Sequence, residues 1–207
     1  MRLKIFILSL LSAVVLILCS YFFLDDRIAQ FFNQLGFSHQ LGPINTSNIP
    51  DVLGEITGAL VLLAWITYTY MIIHGRYGRK REFSKYIGMT LPVAYFLKVI
   101  LQEVFGRVNP RELLFITDLH GPAWFNYTGE YSGSFPSGHM IVFTTIAAAM
   151  WHFYPRWRYL YAAFLLLLAT ALIVTEYHFL SDVIGGTYLA LVIDGWSYRS
   201  RCAARES

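Results

Sequence analysis

The sequence predicts an all-α polytopic membrane protein: six transmembrane helices bundled into one domain that spans residues 1–207. Three observations carry this expectation. Only 14% of the residues are charged and 56% are hydrophobic, whereas soluble domains carry about 25% charged residues. Six stretches are apolar over about the 20 residues a helix needs to cross a bilayer. The basic residues gather between alternate stretches, as the positive-inside rule requires. Such a composition excludes a disordered chain, a coiled coil and most soluble enzymes.

The first stretch, residues 5–23, follows Arg2 and Lys4 as the core of a signal peptide would. No Ala-x-Ala-type cleavage site comes after it, so we read it as a retained anchor. Next, DDRIAQFFNQLG sets Ile28, Phe31, Phe32 and Leu35 at helical spacing, the pattern of an amphipathic helix on the membrane surface. Residues 52–73 form the second span and 85–105 the third, with the basic segment 74–84 between them. Residues 106–137, rich in Gly, Pro, Asn, Asp and Tyr, read as an ordered, turn-rich loop. Spans at 138–154, 159–177 and 183–198 complete the set.

With the N-terminus in the cytoplasm, the cytoplasmic segments and their edges hold Arg2, Lys4, Arg76, Arg79, Lys80, Arg81, Lys85, Arg156, Arg158, Arg199, Arg201 and Arg205. These are twelve of the sixteen basic residues, and both termini are therefore expected on the cytoplasmic side. Topology accounts for the basic clusters, so the net charge of +3 implies no nucleic-acid partner. Cys19 and Cys202 lie near opposite ends of the chain, which suits neither a disulfide framework nor a zinc site.

Ionisable residues in or beside membrane spans are costly and mark functional sites. Here three groups fall at the outward ends of spans: Lys98 with Arg107 and Arg111, Ser137-Gly138-His139, and His178 with Asp182. His178 and Asp182 are four residues apart, close enough to pair. A carboxylate on one imidazole nitrogen fixes the tautomer and frees the other nitrogen as a nucleophile; the same pair also suits a hydrogen-bonded cap at a helix end. Pro136, Ser137 and Gly138 suit the start of a helix, whose free N–H groups attract anions. His139 would there be placed to protonate a leaving oxygen, or it is a surface histidine beside a plain serine cap. Lys98, Arg107 and Arg111 supply the positive charge that phosphoryl transfer needs.

Pro136-Ser137-Gly138-His139, followed by His178-x-x-x-Asp182, resembles the type 2 phosphatidic acid phosphatase (PAP2) superfamily. The likeness covers roughly residues 85–200, with Lys98 to Arg111 as a variant first motif. It implies a PAP2/haloperoxidase-like bundle in a bacterial inner membrane, its site facing the periplasm. The implied activity is metal-independent hydrolysis of a lipid phosphate or diphosphate, with no cofactor and with membrane lipids as surroundings. Undecaprenyl diphosphate, phosphatidic acid, phosphatidylglycerol phosphate and lipid A phosphates are the candidate substrates. His178 would form a phosphohistidine, Asp182 would orient it and His139 would protonate the leaving group. Lys98, Arg107, Arg111, Ser137 and Gly138 would hold the phosphate. A lipid-linked phosphotransferase would use the same residues, and a degenerate scaffold is the non-enzymatic alternative.

Two features depart from the family pattern. Eight residues rather than six separate Lys98 from Arg107, so that Gln102 stands where Gly106-Arg107 would put the lysine. The Ser-Arg that opens the last motif is Ala171-Leu172 here, and Arg111 is the expected substitute for the missing arginine. Glu176 suits either a structural or a functional role. Asp118 and His120 read as turn residues, and Trp124, Tyr127 and Tyr131 as interfacial aromatics. Asp194, His152 and His39 take no assignment from the sequence.

Overall fold

A computed structural model describes residues 3–36, 52–74, 78–115, 124–125 and 133–206. These form helices α1 (Leu3–Phe23), α2 (Asp25–Gln34), α3 (Val52–His74), α4 (Arg79–Phe105), α5 (Pro110–Phe115), α6 (Gly138–Phe153), α7 (Arg158–Val174) and α8 (Leu180–Glu206). A single 3₁₀ turn, Pro155–Trp157, joins α6 to α7. Each expected span has a helix, though Tyr154 and Thr175–Tyr177 fall beyond the ends of theirs.

Four of these helices are long and apolar enough to cross a membrane, among the described residues: α1, α4, the Gly54–His74 part of α3, and α7 with its preceding turn. The other two differ for physical reasons. At 16 residues, α6 is about 24 Å long, shorter than the ~30 Å bilayer core. Helix α8 has 27 residues but carries Asp182 and Asp194 and ends in the basic tail.

Helix α6 is the axis of the bundle and packs against α3, α4, α7 and α8. Its Val142, Ala149 and Phe153 meet Tyr86, Ile87 and Leu91 of α4 and Ala64 of α3. Ile141 meets Ala94 of α4 and Ile193 of α8, and Met140 meets Leu172 of α7 and Val183 of α8. Leu8, Leu62, Trp65, Leu166 and Leu167 instead point outward from α1, α3 and α7. That apolar belt is the surface lipid tails would cover.

Several boundaries move from their expected places. Helix α4 starts at Arg79, so the basic run is its first turns rather than a loop. Helix α7 stops at Val174, which leaves Thr175–Phe179 as a connecting loop. The expected loop 106–137 contains α5, because Asn109 caps it by accepting the Glu112 N–H at 2.8 Å and Pro110 suits its first position. The amphipathic segment is a helix, but its packed face centres on Asp25 and Ala29, while Phe31 and Leu35 are exposed. Ala29 packs with Val108, Leu113 and Phe179, seating α2 against the ends of its neighbours.

At the basic end of the bundle, Asp194 finds its partners. It accepts a hydrogen bond from Tyr86 at 2.6 Å and pairs with His152 at 2.9 Å. His152 stacks on Tyr198 with ring centroids 4.0 Å apart. Helices α4, α6 and α8 are thus clamped by a polar group that apolar periodicity cannot reveal.

Candidate active site

At the opposite end, the C-terminal ends of α1, α4 and α7 meet the N-terminal ends of α6 and α8. Ser137 caps α6 by accepting the Met140 N–H at 3.4 Å. Its own N–H donates to the Asp182 carbonyl at 3.1 Å, which ties α6 to α8. Glycine permits this approach: a Cβ at Gly186 would lie 2.5 Å from the Ser137 carbonyl oxygen. At Gly138 a Cβ would lie 2.6 Å from Lys98 Cε, so the lysine runs directly over the start of α6. Gln102, one turn later on α4, donates to the Pro136 carbonyl at 3.1 Å and braces the same turn.

His178 lies in the α7–α8 loop. Its Nε2 is 3.3 Å from His139 Nδ1, and its Nδ1 is 3.4 Å from Ser134 Oγ. Ser134 donates to Asp182 Oδ2 at 2.6 Å, so its oxygen accepts from a protonated His178 Nδ1. Nε2 then carries the lone pair and faces His139. The direct His178–Asp182 separation is 3.7 Å, which makes the serine hydroxyl the bridge between them. Asp182 Oδ2 also accepts the Phe179 N–H at 2.9 Å, half of a capping box at the start of α8.

Arg107, expected as a phosphate clamp, is brought to the same end of the bundle. It is fully buried, and its guanidinium is already held by protein. Nη1 donates to Asp182 Oδ1 at 2.5 Å and to Ser181 Oγ at 2.6 Å, while Nη2 donates to Asp25 Oδ2 at 2.7 Å. The rings of Phe179, Trp124 and Tyr21 surround it, 4.1, 4.8 and 5.5 Å from the guanidinium carbon. Trp124 therefore packs over a buried cation and against Phe105 and Phe135. Two buried carboxylates have claimed Arg107 as counter-ion, since an uncompensated buried charge is costly.

Arg111 reaches the same loop from α5. It donates to the Thr175 carbonyl at 2.7 Å and lies over the Tyr177 ring at 4.6 Å, and Tyr177 in turn faces His139. Leu172, where the missing arginine would stand, is buried in the α6–α7–α8 core. Glu176 turns the loop in a left-handed conformation, φ 57°, and its carbonyl accepts the Arg111 N–H at 3.0 Å. Asp118, His120, Tyr127, Tyr131 and His39 lie outside the described residues.

The structure thus gathers Lys98, Ser137, Gly138, His139, His178 and Asp182 at one end of the bundle. It adds Ser134, Ser181 and Asp25, which the sequence did not single out. Ser134 lies one residue before Phe135 and Ser181 inside the last motif, so proximity to the motifs was the available signal for both. Asp25 is 153 residues from His178 in the chain, and nothing local marks it.

The PAP2 superfamily model matches residues 83–205, more than half of the sequence. The chain belongs to the PAP2 superfamily. Within it, the chain is 27% identical over 168 residues to a lipid A 1-phosphatase of Rhizobium johnstonii. That match takes in 70% of this chain and 66% of the relative, so the chain spans about two thirds of the relative's length. The crystal structure of a transmembrane PAP2-type phosphatidylglycerolphosphate phosphatase from Bacillus subtilis superposes with a TM-score of 0.50 at 17% identity. It covers 93% of this chain and 96% of the other, and so shares the fold beyond the matched motifs. Helices α1–α3 lie before the segment that the PAP2 model matches.

Proposed function

We propose that this PAP2 protein is an integral-membrane lipid phosphatase that works through a phosphohistidine on His178. The observation that carries the reading is the 3.3 Å approach of His139 Nδ1 to His178 Nε2, with the far side of His178 held by Ser134 and Asp182. In the first step Nε2 attacks phosphorus and the bond from phosphorus to the leaving oxygen breaks. His139 gives that oxygen a proton, releasing a lipid alcohol from a monoester or a lipid monophosphate from a diphosphate. In the second step His139 takes a proton from water, whose oxygen attacks the phosphohistidine and frees inorganic phosphate. The phosphoryl oxygens are held by Lys98, by the Gly138 N–H at the start of α6, by the Ser137 hydroxyl and by Arg111. Arg107 acts from behind, through Asp182.

Residues 1–207 work as one domain of six spans, with α6 and α8 crossing inside a sleeve of more apolar helices. Both termini and the basic helix ends lie in the cytoplasm, and the histidine pair opens to the periplasmic face of a bacterial inner membrane. Lipid A phosphates, phosphatidylglycerol phosphate, phosphatidic acid and undecaprenyl diphosphate form the substrate panel. The test is phosphate release from this panel by the detergent-purified protein, in chelator, beside a His178→Ala variant. Release that the variant lacks supports the reading. Turnover that requires an added hydroxyl acceptor would mark a phosphotransferase, and no turnover of any lipid by folded protein would overturn the reading.

A further inference from the structure

The geometry points to Asp25 as a positioning residue for the phosphatase reaction, acting on His178 through Arg107 and Asp182. This inference rests on the reading of His178 as nucleophile. Asp25 opens α2 and is buried to 1% exposure, although it stands between an apolar span and an amphipathic helix. Three hydrogen bonds converge on its carboxylate. Oδ2 accepts from Arg107 Nη2 at 2.7 Å and from the Ser181 hydroxyl at 2.5 Å, and Oδ1 accepts the Ser181 N–H at 3.0 Å. The last of these groups lies in the first turn of α8, where an N–H has no partner within its own helix and a carboxylate is favoured by the helix dipole.

Asp25 thereby decides how Arg107 meets Asp182. Arginine binds a lone carboxylate with two parallel N–H groups when it can. Here Arg107 is divided: Nη2 is spent on Asp25, and only Nη1 reaches Asp182, on Oδ1. That division leaves Oδ2 to Ser134 and the Phe179 N–H, the contacts that hold the bridge to His178. Without the Asp25 carboxylate the guanidinium can close on both oxygens of Asp182 and pull Oδ2 from Ser134. The helix that supplies Asp25 lies before the segment matched by the PAP2 model. It is seated by Ala29 against Phe179, the neighbour of His178. The surface helix α2 is in this way part of the catalytic end of the bundle rather than an accessory on it.

The experiment compares wild type with Asp25→Asn, which keeps the shape and removes the charge. Phosphate release from a lipid phosphate in detergent is measured well below the melting temperature of each. We expect kcat to fall about 10- to 100-fold, the scale of a small misplacement of a reacting group, while KM stays within about twofold because no phosphate contact is lost. Asp25→Glu, which restores the charge, should recover part of kcat. If Asp25→Asn does not fold, Ser181→Ala carries the same test by deleting one hydroxyl shared by Asp25 and Arg107. Wild-type kcat in the variant that folds, or a rise in KM with kcat unchanged, would overturn the inference while leaving the phosphatase reading intact. A wild-type protein that releases no phosphate from any lipid would overturn both.

Discussion

His139 Nδ1 lies 3.3 Å from His178 Nε2, across the N-terminus of α6. With His178 Nδ1 turned to Ser134, the two imidazoles divide the chemistry: one holds a lone pair toward phosphorus and the other handles the proton. His139→Ala should slow hydrolysis of a lipid monophosphate by about 10²- to 10⁴-fold. A diphosphate should suffer less, because its leaving lipid phosphate needs no proton to depart. Comparing kcat for the two substrate types in the variant checks this, and equal losses would remove His139 as the acid.

Ser134 bridges His178 and Asp182, whose direct separation is 3.7 Å. Ser134→Ala should lower kcat by about 10-fold, the worth of one well-placed hydrogen bond, with KM held. Steady-state kinetics decide it, and an unchanged kcat would mean that Asp182 reaches the imidazole unaided.

The two arginines, both buried, should differ in degree. Arg107→Ala strips the counter-ion from Asp25 and Asp182, both fully buried, and should cost about 3–5 kcal/mol of stability along with activity. Arg111→Ala also removes a buried side chain, with its bond to the Thr175 carbonyl and its packing on Tyr177, and should cost a smaller amount, about 1–3 kcal/mol, while weakening turnover. Thermal unfolding beside phosphate release distinguishes them, and normal turnover by Arg111→Ala would end its claim to replace the missing arginine.

Two glycines on the site test how tightly it is built. Gly186→Ala places a methyl 2.5 Å from a backbone oxygen of Ser137, which can only move with the start of α6. A cost of about 1–3 kcal/mol and a fall in kcat are expected. Gly138→Ala meets the flexible end of Lys98 at 2.6 Å, so the lysine can swing away. It should keep its melting temperature and show mainly a raised KM.

At the far end of the bundle, Tyr86→Phe removes the hydrogen bond to Asp194 and should cost about 1–3 kcal/mol. Phosphate release per folded molecule should be unchanged, since this clamp lies at the opposite end from His178. A large loss of kcat at full folding would show the two ends to be coupled.

Much of this molecule is legible from local pattern. Long apolar runs place α1, α3, α4 and α7, because a helix is the structure that satisfies its own backbone in lipid. The Pro136–His139 motif marks a helix start, and α6 does begin there, whereas His178–Asp182, which reads as the end of the fifth span, leads into α8 instead. What escapes is long-range pairing of charges. Arg107 and Asp25 are 82 residues apart, and His152 and Asp194 are 42 apart. An arginine bound for a buried carboxylate looks the same in sequence as one awaiting phosphate. Asn109 and Pro110 lie inside the variant first motif, and their local role is to start a helix.

The most direct test of the account is to trap the phosphoryl group. Purified protein carrying His139→Ala, in which return of the enzyme by water is slowed, would be mixed with a lipid diphosphate, whose leaving group needs no proton from His139. After a quench under conditions that preserve phosphohistidine, the modified residue would be mapped by mass spectrometry. The account predicts a phosphoryl group on His178, absent when His178→Ala is added. Phosphate release with no phosphoryl-enzyme, or with the group on another residue, would contradict it.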